Sequence, residues 1–117
     1  MPHVILECSE NIQEQLRASA VFAEIHRLLE KQLPTELSTC KSRCVVHKLF
    51  YLGDGHQSNA FVHLTVKIMS GRTDEVQNAL GNQLVTLLKN YFEDYPNKSQ
   101  LQLSVEITEL NKHYFKG

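Results

Sequence analysis

The residue best placed to do chemistry is Pro2, which follows Met1 and opens the apolar, strand-like stretch Pro2-His3-Val4-Ile5-Leu6-Glu7-Cys8. Initiator methionine is generally removed when a small residue follows, and its removal leaves a secondary amine at Pro2. An amine held in an apolar pocket loses solvation of its charged form, so its pKa falls and a neutral base becomes available near neutral pH. With Met1 retained, the same nitrogen is an amide and has no useful basicity. Arg72 lies between Gly71 and the start of a helical pattern, a strand-to-helix junction where anions are favoured. Lys41 and Arg43, two apart on a strand, share a face. A neutral amine and a cation in one pocket are mutually consistent, because the cation lowers the amine's pKa further. The plainer reading of these cations is that they are surface charges at element ends.

Other constellations carry less. Cys40 and Cys44 are four apart with no second pair at finger spacing, so they read as small half-buried residues rather than metal ligands. His3, His47 and His63 fall on strands, where a hydrogen-bonded histidine is expected; His56 sits in a glycine-rich loop. No phosphate loop, HExxH or nucleophile elbow is present. The net charge of −1 supports neither a nucleic-acid nor a membrane-surface partner. No apolar run approaches the roughly 20 residues that span a bilayer, and Glu7, Glu10 and Glu14 interrupt any leader. An odd number of cysteines without a framework fits a reducing compartment. The expectation is a soluble cytoplasmic protein.

The elements that must position these residues read as two similar halves. Pro2–Cys8 is a strand. Ile12 to about Leu33 has helical spacing, with a break near Ala18-Ser19-Ala20, an Asn11/Glu14 capping box at its start and Pro34 at its end. Cys40–Leu52 is a second strand and Gly53–Asn59 a loop. The pattern restarts with a strand over Ala60–Met69. Thr73 caps a helix running to about Phe92, and Leu101–Leu110 alternates with period two. The chain of 117 residues is therefore expected to form a single α+β domain built of two β-α-β units, residues 2–52 and 60–110, with a tail over 111–117. Crossover units put each strand pair parallel and the helices on one face of a four-stranded sheet, a two-layer sandwich with pseudo-twofold symmetry. The uncovered face, if as apolar as Val4, Leu6, Val62 and Leu64, would have to pack on other subunits, with Tyr114 and Phe115 of the tail docking on a neighbour.

Several of these residues also carry a resemblance. Pro2-His3-x-Ile5-x-Glu7-Cys8-Ser9, Lys41-Ser42-Arg43, Asp54-Gly55, Ala60-Phe61-Val62-His63-x-Thr65-x-Lys67-Ile68, Gly71-Arg72 and Ser104-x-Glu106-Ile107-x-Glu109-Leu110 resemble the 5-carboxymethyl-2-hydroxymuconate delta-isomerases of the tautomerase superfamily. The resemblance implies a homotrimeric, cofactor-independent isomerase in aromatic-compound catabolism. Its amino-terminal proline moves a proton within an unsaturated 2-hydroxy acid while arginines hold the substrate carboxylates. Carried onto this chain, Pro2 is the general acid/base, and Lys41, Arg43 and Arg72 bind a small carboxylate substrate. The family's first strand-2 arginine is Lys41 here, which supplies charge without the planar fork of a guanidinium. The alternative from another class is a non-catalytic binding or interaction protein with the same fold.

Overall fold

The computed structural model describes residues 2–117. Four strands, β1 (His3–Ser9), β2 (Lys41–His47), β3 (Ala60–Ile68) and β4 (Leu101–Glu109), form one sheet in the order β2-β1-β3-β4. The helices α1 (Ala18–Gln32) and α2 (Asp74–Tyr91) each connect a parallel pair, β1 to β2 and β3 to β4. The halves meet at β1 and β3, which pair antiparallel with Leu6 opposite Leu64. Two parallel crossover units joined by one antiparallel seam give the pseudo-twofold arrangement expected of the duplicated pattern.

Strand alternation and helix periodicity meet in one core. Val4, Leu6 and Cys8 of β1 and Val62, Leu64 and Val66 of β3 are fully buried, as are Val21, Ile25 and Leu29 of α1 and Leu80, Leu84 and Leu88 of α2. Spacing of four puts each helical trio on one stripe, and spacing of two puts each strand trio on one face. At roughly 1.5–3 kcal/mol per fully buried aliphatic side chain, this layer is the main source of stability. It also corrects an expectation: Val4, Leu6, Val62 and Leu64 lie under the helices, not on the uncovered face. That face carries the intervening residues, among them His3, Glu7, Arg43, His47, His63, Lys67, Ser104 and Glu106, and is largely polar.

Element boundaries shift for physical reasons. A short 3-10 helix, Glu10–Gln15, precedes α1, and Arg17 at the start of α1 has no side-chain cap; its N–H donates to the Tyr91 hydroxyl instead. Asn11 does not cap: its amide donates to the Gln57 and Asn59 carbonyls and its oxygen accepts from Ser9. Strand β2 ends at His47 rather than Leu52 because its partner β1 ends at Ser9, opposite His47. Leu49 and Tyr51, beyond the last pair, are 95% and 78% exposed. The expected cap on α2 forms: Thr73 Oγ1 accepts from Val76 N–H, with Asp74 and Glu75 in the first turn.

Candidate active site

The topology brings the start of β1, the starts of β2 and α2, and the ends of α1, β3 and β4 to one end of the sandwich. Pro2 is buried there, and its carbonyl accepts a hydrogen bond from Lys41 N–H at 3.0 Å. The Met1–Pro2 linkage lies outside the described residues. Arg72 is delivered by Gly71, whose φ of 114° is a conformation that suits glycine and strains other residues. The half-buried Arg72 guanidinium donates to the Leu33 carbonyl at 3.4 Å and the Met69 carbonyl at 3.3 Å. Both contacts are long and leave donor capacity on a five-donor group. Arg72 thus belongs to the helix side of this end.

Lys41 and Arg43 are exposed on the opposite, helix-free side. Lys41 Nζ donates to the Thr39 carbonyl at 3.1 Å, while Arg43 Nη1 lies 3.0 Å from His3 Nδ1. Lys67 sits opposite His3 across the antiparallel seam. His3 is held below the usual histidine range, first by burial and then by Arg43, Lys41 and Lys67. The four candidate residues therefore share one end of the molecule, with Arg72 on one side of the sheet and Lys41 and Arg43 on the other. Among the described residues, the principal surface clefts of the lone subunit flank α2 or lie between the helices.

The strand histidines are hydrogen-bonded as expected, but their partners escaped sequence reasoning. Tyr114 returns from the tail to His3 of its own chain, 2.8 Å from Nε2; Phe115 is 85% exposed. On the open face His47 pairs with Glu7 at 2.9 Å, and His63 meets Ser104 at 2.7 Å and Glu106 at 3.4 Å. The period-two pattern showed that these residues share a face, but not that the face lacks a helix. The cysteines are free, and burial pushes the Cys8 thiol up to about 12, so it is no nucleophile. Among the described residues no three His, Cys, Asp or Glu side chains group as metal ligands, and no helix is long and apolar enough to cross a membrane.

The sandwich of two β-α-β units joined by one antiparallel seam is the α+β fold of the tautomerase superfamily, and comparison with known proteins narrows that class. The family model for 5-carboxymethyl-2-hydroxymuconate isomerase matches residues 2–116, and the chain belongs to that family. The Escherichia coli 5-carboxymethyl-2-hydroxymuconate Delta-isomerase is 35% identical over 111 residues, covering 95% of this chain and 88% of that protein. The crystal structure of a 5-carboxymethyl-2-hydroxymuconate isomerase from Deinococcus radiodurans R1 superposes with a TM-score of 0.88 at 28% identity, covering 99% of this chain and 88% of that one. A fused 4-OT symmetric trimer shares the fold alone, at 12% identity and a TM-score of 0.71 over 98% of this chain and 90% of that one.

Proposed function

We propose that this isomerase shifts a proton within an unsaturated 2-hydroxy (keto-enol) acid of the 5-carboxymethyl-2-hydroxymuconate type, without a cofactor. What supports the reading is that Pro2, Lys41, Arg43 and Arg72 lie at one end of the molecule, on both sides of the sheet, in a chain belonging to this family. Freed of Met1, the Pro2 amine takes a proton from one position of the conjugated acid and returns it at another, so no net proton is gained or lost. Cations flanking the amine keep it neutral between turnovers. They also neutralise carboxylates and the negative charge that develops on the substrate oxygen. Lys41 and Arg43 serve from the open side and Arg72 from the helix side.

The functional unit is a cytoplasmic homotrimer of single-domain subunits. Support comes from two unpaired edge strands, β2 and β4, the exposed apolar residues beyond His47, and the trimeric assembly described for a protein of the same fold. An edge strand flanked by exposed Leu49 and Tyr51 is a ready surface for a second copy. The test follows ultraviolet absorbance of a 2-hydroxymuconate-type acid with the processed protein and its Pro2→Ala variant, after intact-mass analysis establishes loss of Met1. Rates should fall at least 100-fold in the variant, on the scale of a lost general base. Equal rates would overturn the proline mechanism.

A further inference from the structure

We propose that Tyr114 is a substrate-contacting residue whose hydroxyl proton, directed by a neutral His3, joins Arg43 in holding the carboxylate remote from Arg72. The inference rests on reading the Pro2 end as a carboxylate site and adds a donor and its positioning residue to it. The direction of each hydrogen bond follows from the chemistry of its partners. A guanidinium has only donors. Arg43 Nη1, 3.0 Å from His3 Nδ1, must therefore donate, and Nδ1 must hold a lone pair. Neutral His3 then carries its hydrogen on Nε2. That nitrogen lies 2.8 Å from the Tyr114 oxygen and donates to it. The tyrosine oxygen is occupied as an acceptor, which leaves its own O–H for another acceptor. Among the described residues none is bonded to it.

The surroundings select what that acceptor is. Lys41, Arg43 and Lys67 all bear on His3 from neighbouring strands, and burial together with these charges keeps its ring neutral. No carboxylate is among the groups that perturb it. An O–H donor and a guanidinium beside two ammonium groups form a site for an anion with two oxygens. The donor is held in place, because the Tyr114 ring stands edge-on to His3 with centroids 5.7 Å apart and planes at 80°. His3 is joined directly to Pro2. Arg72, tied to the Leu33 and Met69 carbonyls, is the cation on the other side of the sheet end. Two cationic stations flanking the catalytic amine suit a substrate with acid groups at both ends of its conjugated chain.

The test uses the full-length chain and adipate, a saturated six-carbon diacid that binds without reacting. Tyr114→Phe keeps the ring against His3 and removes only the hydroxyl. Calorimetry should show adipate binding weakened by about 10- to 100-fold, the range for a hydrogen bond to a charged group. Nitrogen-15 NMR of the wild type should show His3 with a bare Nδ1 and a protonated Nε2, a signature that a purely structural role for the ring would not require. Equal adipate affinity in the two proteins, a protonated Nδ1, or no adipate binding by the wild type would each overturn the inference. Adipate binding needs no basic amine. A wild type that transfers no proton yet shows the expected adipate difference would therefore refute the Pro2 mechanism and leave this inference standing.

Discussion

Ser9→Ala is expected to cost far more than the loss of one hydroxyl suggests. Ser9 is fully buried at the end of β1. Backbone pairing between β1 and β3 stops at Cys8 opposite Val62. One step further the Ser9 oxygen replaces the ladder, accepting from Phe61 N–H at 3.0 Å while its own proton goes to Asn11 Oδ1 at 2.6 Å. Asn11 in turn donates to the Asn59 carbonyl at 2.8 Å, so one side chain joins the end of β1 to the loop preceding β3. Alanine deletes two bonds of about 1 kcal/mol net each and leaves a backbone donor unmatched, for a total near 2 kcal/mol. That is a large fraction of the roughly 5–15 kcal/mol that holds a domain together. For a chain of this size it corresponds to a drop in melting temperature of about 6–12 °C.

The assay is urea unfolding of wild type, Ser9→Ala, Asn11→Ala and the double variant. Because the two side chains form one network, the double variant should be less destabilised than the sum of the singles, by about 1 kcal/mol. A Ser9→Ala cost under about 0.5 kcal/mol with an unchanged slope, or strict additivity, would refute the reasoning; such a small cost is what surface substitutions give.

Three further outcomes are expected. His3 and His26 are both held below the ordinary value of 6.5, chiefly by burial. Below that pH the unfolded chain takes up protons before the folded one, so this stability is fully present above about pH 6.5 and declines as pH falls toward the lowered folded values. The urea midpoint should follow that course, and His26→Gln should flatten part of it; a midpoint independent of pH between 7 and 5 would refute the account. Because burial and the neighbouring Cys44 thiol push Cys8 up to about 12, a thiol reagent at neutral pH should modify it only on unfolding. Free-thiol rates at Cys8 in the folded protein would contradict this burial. A Leu49→Ser, Tyr51→Ser variant changes residues exposed in the subunit, so subunit stability should move by less than about 0.5 kcal/mol while sedimentation shifts to a smaller species. An unchanged sedimentation profile would show that this segment is not the interface.

Much of the molecule is legible in the sequence alone. Alternation along 62–68 and the spacing of Leu80, Leu84 and Leu88 specify a strand and a helix because period two and period 3.6 each align apolar residues on one side. The restart near Ala60 gives the duplication. Gly71-Arg72-Thr73 marks the junction where a cation meets a helix start, since glycine, a cap and acidic residues each answer a local need of the backbone. Pro2 could be singled out for the same local reason, as a nitrogen whose chemistry depends on one neighbouring bond.

Tertiary structure decided which face of each element meets what. Alternation says that Val4 and Leu6 share a side, but not whether helices or neighbours cover it; two crossovers of one hand put the helices there. Strand β2 stops at His47 although Leu49, Phe50 and Tyr51 are strand-forming residues, because a strand extends only as far as its partner offers hydrogen bonds. The link from His3 to Tyr114 joins positions 111 residues apart. No period reports such a contact, since it depends on where the tail lies after all four strands are in register. Pro2 could be read from its local sequence, but the placement of Arg72 on one side of the sheet and His3, Arg43 and Tyr114 on the other, at the same end of the molecule, arises only when the sheet order brings the ends of six elements together.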